Sequence, residues 1–431
     1  MNVQSAAPLR VALTSLGCKV NYAEMSELAG TLAAAGCDVV PEHESADVRV
    51  LNSCTVTLQA DATTRQRLRR LRESDPGAML ILTGCSVDAN PDAYRAKPQR
   101  HPRAVAVDAV FPNARKSDIA DYVLQFRPLT AARATQPPLR SRAFIKVQDG
   151  CNHRCTYCIV WRARGTSISV APGAVLERAE QAIEDGFREL VLTGVDLGSY
   201  GRDRDSTLAH LLEQLLNRVG AEARVRLSSV NANDVTPALI ELNAHPRLCA
   251  HWHMPLQSGS DNVLRAMHRG YRRSGYLRRV DALRTRRPDT QFTTDVMVAF
   301  PGESAHDHAQ TLSLIDEVGF LSCHVFRWSP RPDTPAVELH GRVDDATARR
   351  RSAEVRAAAA RSGARSLQQA CGRVHEVVWD RVDEGLAHGI AATYHSVVVD
   401  ATPATRPGEL SRVLATCVEG DTLRGTVIND G

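Results

Sequence analysis

Apolar residues in the first part of the chain come in short runs separated by longer stretches with helical spacing. LRVALTSL (9–16) reads as a strand ending at Gly17-Cys18, and an amphipathic helix follows through about residue 35. DVRVLNSC repeats the arrangement: a strand over 48–52, then Cys54, then a helix carrying Arg65, Arg67, Arg69, Arg70 and Arg72. AMLILTGC does so a third time, with a strand over 79–83 and then Cys85. Strands alternating with helices predict a parallel sheet with right-handed crossovers. Ligands of such sheets gather beyond the carboxyl ends of the strands. Cys18, Cys54 and Cys85 each stand at such an end, so the pattern sets them on one rim although they lie 36 and 31 residues apart. Cys37 follows a helix and the turn Ala35-Gly36 and reads as a packed core thiol, as do Cys249, Cys323, Cys371 and Cys417.

Residues 128–141, rich in proline and small side chains, read as a linker. Beyond them RAFIKVQ, FRELVLTGVD, VRLSSV, HWHMPLQS, FTTDVMVAF and CHVFRWS read as strands with helical patterns between. That succession predicts a TIM-like barrel, incomplete, over 142–369, with its chemistry at the carboxyl ends of the strands. Cys151 to Cys158, Gly194, Asp196, Ser228, Ser229, Gln257 to Gly259 and Pro301 to Glu303 occupy those ends. Each polar residue among them also reads as a turn or cap, and Glu303 as a helix-start carboxylate. His251 and His253 alternate on one strand and read as structural. The Arg/Ala-rich stretch over 341–369 reads as a solvated connecting helix. Short alternating runs over 370–431 predict a small β-barrel. The fold class is thus α/β: an N-terminal parallel α/β domain over 8–127, a partial barrel, and a small C-terminal β-barrel.

The run DGCNHRCTYCIV carries Cys151, Cys155 and Cys158 with the spacing C-x-x-x-C-x-x-C. Three thiolates this close can hold a cubane iron–sulfur cluster, and a [4Fe–4S] cluster usually takes four. The fourth iron would stay open to a substrate or cofactor. A structural zinc site needs a fourth Cys or His, and His153 sits inside the loop where it closes such a tetrahedron badly.

At 431 residues the chain has room for two or three domains. A hydrophobic content of 43% and a charged content of 24% are those of a soluble globular protein. The net charge of +4 does not by itself indicate nucleic acid. Of 53 basic residues only Lys19, Lys97, Lys116 and Lys146 are lysine. Arginine suits bidentate phosphate contacts, although a genome-wide codon bias produces the same excess. No apolar stretch approaches the roughly 20 residues of a membrane span, and the N-terminus does not read as a signal peptide. A cytoplasmic protein is expected, with its 11 cysteines buried or ligating metal rather than paired.

The Cys151–Cys155–Cys158 run closely resembles the signature of radical SAM enzymes. Further segments point to their methylthiotransferase branch: SLGCKVNYAE, LNSCTVT and LTGCS, then LTGVDLGSYG, RLSS, PLQSGSDNVLRAMHR, TTDVMVAFPGE and HVFRWSPRPDTPA. GIAATYHSVVV and EGDTLRGTV resemble, more weakly, the C-terminal TRAM barrel of that family. The resemblance implies two [4Fe–4S] clusters, one on Cys151, Cys155 and Cys158 and one on Cys18, Cys54 and Cys85. It implies S-adenosylmethionine (SAM) at the open iron of the first, with Tyr157 packing its adenine. Gly194, Asp196, Ser228, Gln257 and Ser258 are candidates for its other contacts.

Within the branch, GCKVN and LTGVDLGSYG resemble the threonylcarbamoyladenosine (MtaB-like) subfamily. This implies addition of a methylthio group to C2 of N6-threonylcarbamoyladenosine at position 37 of tRNA. One SAM would methylate the sulfur carried by the second cluster, and another would yield the radical that activates C2. The implied partners are a tRNA anticodon stem-loop, bound by the small barrel and by arginines including Arg269, Arg272 and Arg273, together with an electron donor and a sulfur source. A monomer away from membranes is expected. The alternatives are isopentenyladenosine in tRNA, an aspartate of a small-subunit ribosomal protein, and, in another class, a non-catalytic iron–sulfur RNA-binding protein. The chain departs from the family at Trp161, at Thr166 to Val170, at NANDV (231–235) and at Ala299, which bears on how the substrate is held.

Overall fold

The structure is a computed structural model that describes residues 8–91, 94, 107–126 and 141–428. The expected linker lies outside them except for Ser141. The chain forms two compact units. One takes in residues up to 139 together with 150–153 and 158–166; the other takes in 140–149, 154–157 and 167–431. Among the described residues no helix is long and apolar enough to cross a membrane.

The first unit is built on five parallel strands: β1 (Arg10–Ser15), β2 (Asp38–Val40), β3 (Val48–Ser53), β4 (Met79–Gly84) and β5 (Ala109–Phe111), in the order β2-β1-β3-β4-β5. The three expected strands are present; β2 and β5, of three residues each, are too short to leave a periodic signal. All six residues of β3 are buried because helices cover both faces of the sheet. Met25, Leu28 and Leu32 of the helix Lys19–Ala34 pack on Val11, Val50 and Ile81. On the opposite face Leu68 and Leu71 of the helix Leu58–Ser74 pack on Leu51, Leu80 and Leu82. Cys37 is buried in the first of these cores, as expected. The strand order reverses between β1 and β3, and such a switch point opens a crevice at the strand ends.

In the second unit β6 (Ala143–Asp149), β8 (Glu189–Gly194) and β9 (Arg224–Leu227) run parallel, with the short β7 (Ile168–Ser169) antiparallel on β6. Then β10 (His251–His253), β11 (Gln291–Val298) and β12 (Ser322–Arg327) form a second parallel set. Parallel bridges Val225–Leu248 and Ser229–His253 carry the array from β9 to β10, giving six parallel strands of a partial barrel. Its core includes Leu190, Leu192, Val225, Trp252, Phe292 and Val296. The helix Asp345–Ala370 is not solvated all round as its composition suggests. Ala348, Val355, Ala358, Ser362 and Leu367 form a buried stripe, and Arg351 is buried against Glu303 at 2.8 Å. Small side chains at helical spacing let this helix lie close to its neighbours, which overall polarity does not reveal.

The last strands, β13 (Val374–Asp383), β14 (Leu386–Ala391), β15 (Ser396–Asp400), β16 (Leu410–Glu419) and β17 (Thr422–Ile428), close into a barrel in the order β13-β14-β15-β17-β16. Cys417, expected in the core, is exposed. Buried Ser411, Val413 and Ala415 alternate along β16 until a bulge between Ala415 and Cys417 adds a residue and turns Cys417 outward. Cys249 is buried, while Cys323 and Cys371 are half-buried.

This small barrel covers the amino ends of the partial-barrel strands. Arg224 donates to the Glu376 and Ile390 carbonyls at 2.7 and 2.8 Å, and Arg226 to those of Ala392 and Ala391 at 3.2 and 3.0 Å. Glu189 lies between the two guanidiniums. Its carboxyl is held well below the usual range: burial pushes it up, but Arg226 and Arg224 outweigh that. With the amino ends occupied, the carboxyl ends of the strands are left for chemistry.

Candidate active site

Cys54 and Cys85 follow β3 and β4 directly and Cys18 comes three residues after β1, so all three meet at the rim of the first sheet, on both sides of the switch point. Burial, then the nearby Cys18 and Cys85 sulfurs, push the Cys54 thiol up to about 11 against one backbone N–H that lowers it. Cys85 is likewise raised, by burial first and by Cys18. The three sulfurs are thus close enough to sense one another. Two glycines allow this approach. Gly17 has φ +92°, and a Cβ there would lie 2.7 Å from the Cys54 sulfur. Gly84 has φ +99°, and a Cβ there would lie 2.4 Å from Asn52 Oδ1. Cys18 is exposed, Cys54 half-buried and Cys85 buried, so the trio opens to one side.

Behind the sulfurs lies a buried polar network that no sequence spacing announced. Glu24 accepts Lys116 Nζ at 2.5 Å and Arg164 Nη1 at 2.9 Å. Arg164 Nε points at the Cys85 sulfur at 3.2 Å, and Asn113 Nδ2 lies 3.8 Å from the same sulfur. The partners of Arg164 lie 79 to 143 residues away in sequence, so periodicity could not have found them.

In the second cysteine set, Cys151 N–H donates to the Gly165 carbonyl at 3.1 Å, and Cys158 Sγ accepts the Val160 N–H at 3.4 Å. Cys155 is buried, and Arg269 Nη1 donates to its sulfur at 3.4 Å while stacking over the Tyr271 ring at 5.0 Å. Arg269 also bonds to Asn231. It therefore turns inward and is not the surface phosphate contact expected of it. Arg273 is also engaged, with the Gln310 carbonyl and Glu317, whereas Arg272 is exposed. Tyr157 packs on Val263, Met267, Phe300 and Ala336. Trp161 is half-buried under the Arg162 guanidinium, 4.9 Å from its ring.

The remaining candidates stand at strand ends of the partial barrel. Gly194 lets the Gln148 side chain lie where a Cβ would be 2.8 Å from Gln148 Oε1, and that oxygen accepts the Asp196 N–H at 2.8 Å. Asp196 is buried and accepts Asn231 Nδ2 at 3.0 Å. Gln257 has φ +62°, with backbone bonds to Asp295 and Met297. Ser258 spends its hydroxyl on Thr311 and on the Ser260 N–H. Ser228 Oγ is buried without a hydrogen-bond partner in the structure. A buried hydroxyl left without a partner is costly, so a polar ligand group there would complete it. Glu303 accepts the Ala299 N–H and Arg351 and so holds the loop before the helix Ala305–Val318; Ser304 caps that helix. His251 and His253 both bond Thr293 Oγ1, at 2.8 and 2.9 Å, as a structural pair.

Residues 145–315 match the Radical SAM superfamily, and residues 10–105 match Uncharacterized protein family UPF0004. The chain is 38% identical over 355 residues to threonylcarbamoyladenosine tRNA methylthiotransferase MtaB of Thermotoga maritima, covering 79% of this chain and 80% of that protein. The chain belongs to the radical SAM methylthiotransferase family. It is also 36% identical over 356 residues to a tRNA-2-methylthio-N(6)-dimethylallyladenosine synthase of Parafrankia, covering 77% of this chain and 70% of that protein. The radical SAM methyltransferase TsrM of Kitasatospora setae has a similar fold, with a TM-score of 0.55 at 12% identity over 76% of this chain and 75% of that one.

Membership of a radical SAM family implies a [4Fe–4S] cluster and SAM. The residues present fit these groups. The loop from Cys151 to Cys158 offers three cysteine sulfurs outside any disulfide, the donor set of a cubane with one open iron. The unpartnered Ser228 hydroxyl suits a polar cofactor. Cys18, Cys54 and Cys85 are likewise outside any disulfide and share one rim.

Proposed function

We propose that the chain transfers a methylthio group to C2 of N6-threonylcarbamoyladenosine at position 37 of tRNA. The observation that carries this reading is the convergence of Cys18, Cys54 and Cys85 at the sheet's switch point, in a chain that has a second three-cysteine loop. A radical generator needs one cysteine set; a second set with an open side supplies sulfur. When bound, the two clusters and SAM supply the radical and the sulfur group, chemistry that no side chain performs at an unactivated C–H bond.

The chain's own residues bind and position. Cys151, Cys155 and Cys158 hold the first cluster, and Cys18, Cys54 and Cys85 the second. Tyr157 packs against the adenine of SAM, and Gly194, Asp196, Ser228, Gln257 and Ser258 line its side of the partial barrel. The C-terminal barrel and exposed arginines bind the anticodon stem-loop through its phosphates. An unpaired loop base is the kind that proteins read by splaying it out. An external electron donor and a sulfur source complete the cycle. Lys19 and Val20, directly after Cys18, support the threonylcarbamoyl substrate over the isopentenyl one, as does the 38% identity to an enzyme of that name.

Mass spectrometry of tRNA nucleosides from a deletion strain tests the reading. Loss of the methylthio group from threonylcarbamoyladenosine alone is expected, with restoration by the wild-type gene. Loss from isopentenyladenosine, or unchanged tRNA beside an unmodified ribosomal protein, overturns the substrate assignment.

A further inference from the structure

Arg164 ends the helix Val160–Arg164 that follows Cys158, and its side chain is 1% exposed. Its Nη1 donates to Glu24 Oε1 at 2.9 Å, its Nη2 to Asn21 Oδ1 at 2.5 Å, and its Nε to the Cys85 sulfur at 3.2 Å. Glu24 also accepts Lys116 Nζ, which donates in turn to Asn113 Oδ1 at 2.8 Å. Asp88 accepts the Asn113 side chain at 2.8 Å and lies near Lys116 and Arg164. Burying a guanidinium costs several kcal/mol unless every N–H is used well. The Arg164 bonds to Glu24 and Asn21 are ordinary charge-assisted bonds. The bond from Nε to sulfur is weak while Cys85 is a thiol and strong once the sulfur is anionic, as it is on a metal.

We propose that Arg164 is a positioning residue of the second cluster, donating to the Cys85 sulfur and holding that cluster's reduction potential up. The proposal rests on the second-cluster reading above. Reduction adds negative charge that spreads onto the ligand sulfurs, so a hydrogen-bonded cation at one of them favours the reduced form. Glu24 acts in the opposite sense, because it offsets the charge of Arg164. The same bonds tie the chain just beyond Cys158 to the sheet that carries Cys85.

The test uses the full-length chain with Cys151→Ala, Cys155→Ala and Cys158→Ala, reconstituted anaerobically so that the second site alone holds iron, about four atoms. Reduction by dithionite is followed by electron paramagnetic resonance with redox mediators. Arg164→Gln is expected to lower the reduction equilibrium constant at least tenfold, about 59 mV for a one-electron couple. Arg164→Lys is expected to keep most of the potential, and Glu24→Gln to shift it the other way. Opposite signs separate charge at the sulfur from general loosening of the fold. If Arg164→Gln does not retain iron, the Lys and Glu24→Gln variants carry the comparison. An unchanged potential with four irons bound, or shifts of the same sign in Arg164→Gln and Glu24→Gln, overturns the proposal alone. A background chain that binds no iron with Arg164 intact overturns the second-cluster reading, and the proposal with it.

Discussion

Replacing Glu189 by glutamine should strongly loosen the partial barrel and its C-terminal cap. Glu189 is fully buried, and Arg224 and Arg226 have side chains 1% exposed. Its carboxylate accepts Arg224 Nε at 2.7 Å, Arg226 Nε at 2.7 Å and Arg226 Nη2 at 2.9 Å. Glutamine keeps the shape but removes the charge and turns an amide N–H₂ toward a guanidinium. Breaking a buried ion pair from one side typically costs about 3–5 kcal/mol, because it leaves buried charge without compensation. Chemical denaturation followed by the fluorescence of the fully buried Trp252 and Trp379 reads this cost.

A further variant sharpens the reasoning. An isolated buried ion triad can often be replaced by apolar residues at little cost. Here the arginines also serve the carbonyls of Glu376, Ile390, Ala391 and Ala392, so Glu189→Leu with Arg224→Met and Arg226→Met would strip four acceptors of their arginine donors, with Glu376 and Ala391 keeping only a backbone N–H from Ala392 and Tyr394. At about 1–3 kcal/mol for each unsatisfied buried group, the triple variant should be no more stable than Glu189→Gln. A Glu189→Gln protein within about 1 kcal/mol of wild type, or a triple variant as stable as wild type, would refute the reading; both thresholds lie below the range for one broken buried pair.

Two more outcomes follow from single residues. Gly84→Ala forces a Cβ to within 2.5 Å of the Ser53 backbone at φ +99°. It should cost roughly 1–3 kcal/mol and halve the iron of the reconstituted protein from about eight atoms to about four, whereas Gly30→Ala, with nothing within 4 Å, should lose no iron. His395 is pushed down to about 4 by burial first and by His375, below its ordinary value near 6.5. The unfolded chain therefore takes up the proton more readily, and stability present above pH ~6.5 is lost as pH falls toward 4, by roughly 3 kcal/mol. His395→Asn should flatten the fall in unfolding free energy over that window, and an unchanged slope would refute the assignment.

Much of the architecture was legible because strand and helix periods leave their mark on any sequence. The runs ending at Cys18, Cys54 and Cys85 state which residues face the core and where each strand stops. A parallel sheet then has one rim on which those stops must fall. The spacing of Cys151, Cys155 and Cys158 is likewise local, and so is readable without a fold. Periodicity fixes a face but names no partner. Arg269 reads as an RNA-binding surface cation and Arg164 carries no signal of its own, yet each donates to a cysteine sulfur reached only when distant elements pack. Glu189, Arg224 and Arg226 look like the polar half of alternating strands, and only the barrel's closure by the last strands makes them a buried plug. A one-residue bulge turned Cys417 out of the core, since register depends on the neighbouring strand as well as on the chain's own alternation. The sequence by itself thus determined the longer elements, their order and the two cysteine sets, because these rest on local periodicity and spacing. Tertiary structure alone decided which charges those cysteines meet and what seals the far end of the barrel, because those contacts join residues that no local pattern relates.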